Sequence, residues 1–175
     1  EGVRHGIALV PEDRKNQGLI LKHDVDRNIT ITELEPLIGP FWGLSARRER
    51  EAVGQLVDKL RIKIPDHGAP VRNLSGGNQQ KVVLAKWLHA NRGVVLMDEP
   101  TRGIDVGSKA EIYAIIHTLA QEGKGIVIAS AEPGEIAAHC DRIYVLRLGR
   151  VVAEYEHGVS EQVLMRAMLT GQESA

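Results

Sequence analysis

Short apolar runs are spaced along the chain between longer stretches of mixed polarity. Each run holds four to six residues rich in Val, Ile and Leu, which is typical of a strand. The run at 94–97 has no polar residue, so it predicts a strand buried on both faces of a parallel sheet. The last two runs meet at Gly149 and predict a hairpin. The predicted strands lie at residues 6–10, 94–97, 126–129, 143–148 and 151–156.

Between the runs, apolar residues recur every three or four positions, as on one face of a helix. Val53, Leu56, Val57 and Leu60 form such a stripe after Ser45, a residue type that favours a helix N-cap. A second amphipathic stretch follows Ser75, which is predicted to cap it in the same way, and a third carries Ile112, Ile115, Ile116 and Leu119. Shorter helices are predicted at about 26–34, 135–140 and 160–169.

The order of these elements predicts the fold class. Strands alternate with helices over most of the chain, which indicates an α/β protein with a parallel sheet. A mainly helical stretch interrupts this order and continues into the helix after Ser75. We therefore expect an inserted α-helical subdomain over about residues 24–92, within a partial α/β core formed by residues 1–23 and 93–175.

Composition narrows the possible functions. Of 175 residues, 43% are hydrophobic and 26% charged, and the net charge of −1 provides no field that would favour nucleic acid. No apolar run approaches the roughly 20 residues of a membrane span, and no signal peptide is visible. The single cysteine, Cys140, is interpreted as a buried inert thiol. The seven histidines show no metal-ligand spacing, and His139 beside Cys140 does not make a zinc site.

Ser75, Gly76 and Gly77 stand at the start of the second amphipathic helix. A helix N-terminus offers unpaired N–H groups and the positive end of the helix dipole, so phosphate binds there readily. Glycines lack a β-carbon and let a phosphate approach the backbone, although they are poor helix formers. A flexible turn before a helix is the alternative interpretation, and the residues alone leave both open.

Two adjacent carboxylates, Asp98 and Glu99, follow the apolar run at 94–97. The carboxyl end of a buried parallel strand is where α/β sheets bind ligands. Asp98 is placed to orient Mg²⁺ or its water shell, and Glu99 to position or deprotonate a water. A helix cap at the strand end is the alternative, but a cap needs only one of two carboxylates that repel each other.

Residues 74–80 (Leu-Ser-Gly-Gly-Asn-Gln-Gln) followed by residues 96–105 (Leu-Met-Asp-Glu-Pro-Thr-Arg-Gly-Ile-Asp) closely resemble the ATP-binding-cassette (ABC) ATPases. Within that family they resemble the second, C-terminal cassette of bacterial monosaccharide importers of the ribose, galactose and xylose type. Val10-Pro11-Glu12-Asp13-Arg14-Lys15 with Gly18-Leu19 matches the opening loop of this subgroup. The resemblance covers nearly the whole chain and implies a P-loop NTPase-like sheet.

The resemblance also implies roles for individual residues. The motif beginning at Ser75 would contact the γ-phosphate of ATP held by an opposing cassette, Asp98 would position Mg²⁺ through water, and Glu99 would be catalytic. Glu12 falls where many cassettes carry a glutamine that senses Mg²⁺ and touches the membrane subunit. The loop Gly103-Ile104-Asp105 would communicate across the cassette dimer. The implied nucleotide-contacting residues are Ser75, Gly76, Gly77, Asn78, Gln79, Glu12 and Asp105.

The partners and location implied by the resemblance are those of an importer ATPase. The cofactors would be ATP and Mg²⁺. The partners would be a second cassette, the transmembrane permease subunits and, indirectly, a periplasmic sugar-binding protein, with no nucleic acid. The protein would lie peripherally on the cytoplasmic face of the membrane.

The chain departs from the family pattern at two points. No Gly-x-x-x-x-Gly-Lys-Ser/Thr (Walker A) loop is present, and the only Gly-Lys pair, Gly123-Lys124, lacks the upstream glycine. We therefore expect a C-terminal piece of a longer polypeptide that is inactive alone, and whose strand at 94–97 has lost neighbours. The other departure is Ala131, which stands where many cassettes carry a switch histidine.

Three functions remain open from the sequence. The first is an ATPase subunit that drives sugar import. The second is a non-catalytic regulatory or dimerisation half that only completes the ATP site of its partner. The third, a soluble cassette protein acting on nucleic acid or ribosomes, is disfavoured by the near-neutral charge.

Overall fold

The computed structural model describes residues 2–39 and 42–171. Its contacts divide the chain into two compact units. The first unit ends at Ala129 and contains the helices and strands that surround the predicted site. The second unit begins at Ser130 and consists of a hairpin and two helices.

The first unit is built on a three-stranded parallel sheet. Strands β1 (Ile7–Val10), β2 (Val94–Asp98) and β3 (Gly125–Ala129) lie in the order β1-β2-β3. The predicted strands and their parallel arrangement are confirmed. The expectation that the strand at 94–97 lacks neighbours is wrong, since β2 is central and pairs with β3 over its whole length and with β1 over residues 94–97.

Among the described residues, only one face of this sheet is packed against the main core. Ala8 and Val10 of β1, with Val95 and Met97 of β2, are buried in the main core. On the other face, Leu9 is 51% exposed and Val127 is 56% exposed. The prediction that β2 is buried on both faces is therefore wrong, because the helices that pack on the described sheet cover the side formed by alternate residues only.

Among its described residues, the first unit also contains four α-helices: α1 (Val25–Thr30), α2 (Ala46–Lys59), α3 (Gly76–His89) and α4 (Val106–Gln121). The predicted caps Ser45 and Ser75 are confirmed, since each side chain accepts a backbone N–H three residues later. Helix α1 differs from the prediction. It begins after Asp24, which caps Arg27 N–H at 2.8 Å, and it ends at Thr30 rather than near residue 34.

Helix α3 is the central helix of the core. Its residues 79–86 are all buried. The helix is therefore buried on more sides than the single apolar face that the sequence predicted. A helix enclosed in this way must find partners for its polar side chains. Lys81, whose side chain is 3% exposed, pairs with Glu111 of α4 at 2.8 Å and donates to the carbonyl of Arg61. Lys86 donates to the carbonyl of Gly18.

The helices and the sheet of the first unit share one hydrophobic core. The core includes residues of α1, α2 and α3 from the predicted helical stretch, together with residues of β1, β2 and α4 from the predicted α/β stretch. The subdomain boundaries at about residues 24 and 92 thus remain a prediction. The division that the structure makes lies between Ala129 and Ser130.

The second unit is a hairpin with two helices. Strands β4 (Arg142–Arg147) and β5 (Arg150–Glu156) pair antiparallel, and helices α5 (Pro133–His139) and α6 (Glu161–Thr170) flank them in sequence. The predicted hairpin at Gly149 is confirmed. Leu148 and Gly149 both have positive φ, as a tight two-residue connection requires. No helix among the described residues is long and apolar enough to cross a membrane.

Candidate functional site

The N-terminus of α3 carries the motif that begins at Ser75. Ser75 is extended (φ −61°, ψ 158°), and its Oγ accepts hydrogen bonds from the backbone N–H of Asn78 at 3.4 Å and from Asn78 Nδ2 at 3.0 Å. Asn78 Oδ1 in turn accepts from the backbone N–H of Lys63 at 2.9 Å. Ser75 itself is exposed. The first turn of α3 is therefore fixed by its own side chains.

Gly76 and Gly77 allow other segments to approach this turn closely. A β-carbon on Gly76 would lie 2.9 Å from Nη2 of Arg14 and 3.3 Å from the carbonyl oxygen of Gly103. A β-carbon on Gly77 would lie 2.6 Å from Cβ of Ser108. The sequence interpretation left these spaces for a phosphate. In the structure the protein itself fills them, and the exposed part of the turn is at Ser75.

Arg14 connects the opening loop to the turn that follows β2. Its Nη1 donates to the carbonyl of Arg102 at 2.7 Å and its Nη2 to the carbonyl of Gly103 at 3.3 Å. The guanidinium is half-buried, and this burial lowers the pKa of Arg14, an effect that the charge of Asp13 opposes. The side chain of Arg102 forms an ion pair with Glu12. The sequence analysis assigned no role to Arg14, because neither periodicity nor motif spacing singles out one basic residue in a polar loop.

The acidic residues stand where β2 ends. Asp98 is exposed and is the last residue of the strand. Glu99 has a left-handed backbone (φ +47°), which is uncommon for a residue with a side chain, and its N–H donates to the carbonyl of Ala129 at 2.8 Å. A tight turn follows, in which the Arg102 N–H donates to the carbonyl of Glu99 at 3.1 Å. A strained backbone held by the surrounding structure is characteristic of functional sites.

Asp105 is the N-cap of helix α4. Its carboxylate accepts the backbone N–H of Ser108 at 3.0 Å and the Ser108 hydroxyl at 2.8 Å. The backbone bond is the largest of several effects that lower the pKa of Asp105, and the hydroxyl bond is the next. Ser108 is also the residue against which Gly77 packs. The cap of α4 is thereby tied to the first turn of α3.

The structure brings most of the predicted residues into one connected region. Glu12 and Asp105 join it through Arg102 and Ser108, and Glu99 begins the turn that Arg14 contacts. Gln79 is not part of this surface. Its side chain is buried, and its Nε2 donates to the carbonyls of Val71 at 3.3 Å and Leu74 at 3.2 Å.

Two further predictions concern residues outside this region. Ala131 is exposed and belongs to the second unit. Cys140 is half-buried, and burial raises the pKa of its thiol, with a further contribution from Asp141. A raised pKa disfavours the reactive thiolate.

The residues present fit a Mg²⁺ ion that keeps most of its water ligands. Over residues 2–39 and 42–171, no group of three or more His, Cys, Asp or Glu side chains is arranged to hold a metal ion. Mg²⁺ commonly keeps several waters and takes one or two carboxylates together with substrate phosphates. An exposed carboxylate at a strand end, such as Asp98, is compatible with that mode of binding and not with an all-protein cage.

The family follows from a direct comparison of sequences. The profile of the family described as ABC transporter matches residues 2–102, which is 101 of 175 residues. The chain belongs to the ABC transporter family. The resemblance found in the motifs at Ser75 and Asp98 is thus confirmed at the level of the family.

Curated relatives resemble the chain from end to end. It is 46% identical over 173 residues to the ribose import ATP-binding protein of Rhodococcus jostii (strain RHA1), covering 99% of the chain and 34% of that protein. It is 47% identical over 172 residues to the xylose import ATP-binding protein of Moorella thermoacetica, covering 98% of the chain and 34% of that protein. The chain thus spans about a third of the length of these relatives.

Solved structures share the fold. The cbiO1 protein of Clostridium perfringens, part of the ABC transporter complex cbiONQ, superposes with a TM-score of 0.72 at 23% identity, covering 95% of the chain and 62% of that protein. An ATP-binding cassette described as a dimer in a post-hydrolysis state bound to ADP and Pi gives 0.71 at 21% identity, covering 88% and 65%. The α/β fold with a parallel sheet is that of ABC ATPase cassettes, as predicted.

Proposed function

We propose that the chain forms part of the second nucleotide-binding cassette of a monosaccharide importer, which couples ATP binding and hydrolysis to carbohydrate uptake. The observation that carries this proposal is the connected region described above, in which the first turn of α3, the acidic end of β2 and the cap of α4 are joined. Relatives named for ribose and xylose import support the substrate class.

Each part of the region has a place in this function. The N-terminal turn of α3, with exposed Ser75 and partly exposed Gly76 and Asn78, contacts the γ-phosphate of ATP held by a facing cassette. Glu99 positions the attacking water and accepts its proton. Asp98 would hold Mg²⁺ through water, and the ion would supply positive charge beside the phosphates. Glu12 and Asp105 set the loops that meet the permease and the facing cassette.

Gln79 acts differently in this proposal. It supports the turn from inside, through its bonds to the carbonyls of Val71 and Leu74, instead of contacting the nucleotide. Gly77 likewise supports the turn by admitting Ser108. The contact surface is therefore smaller than the motif as read from the sequence.

The proposed assembly contains a second cassette, the permease subunits and, through them, a periplasmic sugar-binding protein. In this assembly the cassette lies peripherally on the cytoplasmic face of the membrane. Residues 1–175 alone should show little turnover, because no part of them matches the Gly-x-x-x-x-Gly-Lys-Ser/Thr pattern that cradles a nucleotide.

Glu99→Gln tests the catalytic assignment in the complete natural polypeptide that contains these residues, assembled with its permease. We expect ATP hydrolysis to fall about 100-fold or more, since general-base catalysis contributes roughly 10²- to 10⁴-fold. ATP affinity should stay within about twofold, because the amide keeps the shape of the side chain. The matched control is Glu51→Gln on the exposed face of α2, which should leave both quantities unchanged.

Two observations favour the non-catalytic alternative: no part of residues 1–175 matches the Walker A pattern, and an alanine stands at position 131. The variant Ser75→Arg distinguishes the two functions, since it places a long side chain on the exposed phosphate-contacting turn. Loss of hydrolysis in both Ser75→Arg and Glu99→Gln supports the catalytic cassette. Loss in Ser75→Arg with hydrolysis in Glu99→Gln within a few-fold of the natural protein would instead establish a half-site that only serves its partner.

A further inference from the structure

We propose that Arg14 is a positioning residue for ATP hydrolysis, which holds the turn of residues 99–104 against the N-terminus of α3. This inference rests on the proposed function and adds to it a residue outside both the motif that begins at Ser75 and the acidic end of β2. Arg14 acts through the backbone of the turn, so it is distinct from the groups that contact ATP.

The first support is the pair of hydrogen bonds from the guanidinium to consecutive carbonyls. Nη1 donates to Arg102 and Nη2 to Gly103, at 2.7 and 3.3 Å. A planar guanidinium presents several donors in a fixed fork and can hold two neighbouring acceptors in one geometry. A lysine at the same position would offer a single flexible ammonium and could not fix both carbonyls at once.

The second support is steric. The guanidinium lies so close to Gly76 that a β-carbon there would be 2.9 Å from Nη2. Arg14 therefore touches the first turn of α3 while it binds the turn that follows β2. The side chain is a spacer that sets the separation of these two segments.

The third support is the anchoring of Arg14 itself. Asp13 caps the single turn of π-helix at Arg14–Gly18 by accepting from the backbone N–H of Asn16 at 3.2 Å and from its side-chain amide at 2.7 Å. At the end of this turn, the carbonyl of Gly18 accepts from Lys86, near the C-terminal end of α3. The loop that carries Arg14 is thus attached to α3 through a buried contact as well as at its first turn.

These contacts connect Arg14 to the catalytic assignment. The Arg102 N–H donates to the carbonyl of Glu99, so a shift of the Arg102 carbonyl would be transmitted directly to the backbone of Glu99. A displacement of about 1 Å at a catalytic group can cost on the order of 100-fold in rate. Loss of the fork should therefore lower turnover without a change in nucleotide contacts.

The test uses Arg14→Lys and Arg14→Ala in the complete natural polypeptide with its permease. We expect kcat to fall about tenfold or more in both variants and KM for ATP to stay within about twofold. Amide hydrogen exchange over residues 98–108 should be faster in both variants, because the turn has lost its anchor. The control Arg47→Lys, an exposed arginine in an ion pair on α2, should change neither quantity.

Chemical rescue separates positioning from general destabilisation. Guanidinium ion added at millimolar concentration should restore part of the kcat lost in Arg14→Ala, whereas ammonium ion should not, because only the former reproduces the fork. A variant that merely folds poorly would gain nothing from either ion.

The outcomes distinguish this inference from the function on which it rests. An active natural protein whose Arg14 variants keep kcat, or lose it with unchanged exchange over residues 98–108, overturns the positioning role alone. A natural protein without ATP hydrolysis, whose Arg14 variants nevertheless exchange faster over those residues, overturns the proposed function and leaves Arg14 as the anchor of the turn. A loss that guanidinium does not restore also overturns the positioning role.

Discussion

Gly76 and Gly77 show how a single residue type can serve packing and chemistry together. Both positions were singled out because a phosphate can approach a backbone that lacks side chains. In the structure, Arg14, Gly103 and Ser108 occupy the space beside them. The glycines are thus needed for packing even without a ligand. Side chains at these positions would prevent the close contact between the first turn of α3 and the segment that follows β2.

The first prediction compares two glycines in helices. Gly77→Ala should lower the free energy of unfolding by about 1–3 kcal/mol, because the added carbon overlaps Ser108 in a packed region. Gly54→Ala, in the middle of α2 with open space around its added carbon, should raise it by about 0.5–1 kcal/mol through helix propensity. Urea denaturation of the chain measures both. A Gly77→Ala variant as stable as Gly54→Ala would contradict the close packing.

Sequence analysis identified best the residues whose hydrogen-bond partners lie a few positions away in the chain. Ser45 and Ser75 were predicted as caps, because a hydroxyl before an amphipathic stretch needs only its own helix to act. Arg14 was missed because its partners, Arg102 and Gly103, lie 88 and 89 residues away in sequence. Contacts of this range are fixed by the tertiary fold.

At the scale of elements, helix α4 is capped by a carboxylate that is bonded to the first turn of the helix. Asp105 accepts two hydrogen bonds from Ser108 alone, from its backbone N–H and its hydroxyl, and these bonds are stronger to the carboxylate than to the protonated acid. The same carboxylate lies at the positive end of the helix dipole. The ionised form is therefore favoured by the folded state.

The second prediction follows from the lowered pKa of Asp105. A carboxyl group with a lowered pKa in the folded state contributes stability above its ordinary pKa of 3.8, and this contribution is lost as pH falls through the lower folded value. Asp105→Asn should therefore lower Tm at about pH 7, and the difference from the natural chain should shrink below the ordinary pKa.

Thermal melts across this pH range provide the measurement. In a Ser108→Ala background the effect of Asp105→Asn should be smaller, because one of the two donors has been removed. A Tm difference that stays constant from about pH 7 to about pH 3 would show that ionisation of Asp105 contributes nothing to the cap.

The order and type of the elements could be predicted from the sequence, and their burial could not. The apolar run at 94–97 predicts β2 correctly, but the same pattern suits a strand with one covered face or two. Helix α1 ends at Thr30 and a turn follows it, although no glycine or proline marks that point in the sequence. Both errors concern neighbours that a local pattern does not encode.

At the scale of the whole molecule, the face of the parallel sheet that does not pack on the main core exposes apolar side chains. The register aligns Leu9, Leu96 and Val127 in one row across the three strands. Two of these side chains are more than half exposed. Contiguous apolar surface of this kind promotes association between molecules.

The third prediction concerns this face. The chain of 175 residues should self-associate at micromolar concentration, and Val127→Lys or Leu9→Lys should reduce the association with little loss of stability, because neither side chain is buried. The control Leu148→Lys, on the hairpin turn of the second unit and 89% exposed, should leave association unchanged. Sedimentation velocity measures the species present. A monomeric natural chain at these concentrations would contradict the prediction.

The contact between Gly77 and Ser108 also has an evolutionary consequence. Two positions 31 apart in the chain share a space that holds one small side chain. Among homologues that keep this arrangement, a larger side chain at one position should occur only with a smaller one at the other. The two positions should therefore covary. An insertion between them that shifted α4 by one residue would separate the two positions, and the covariation would then be lost.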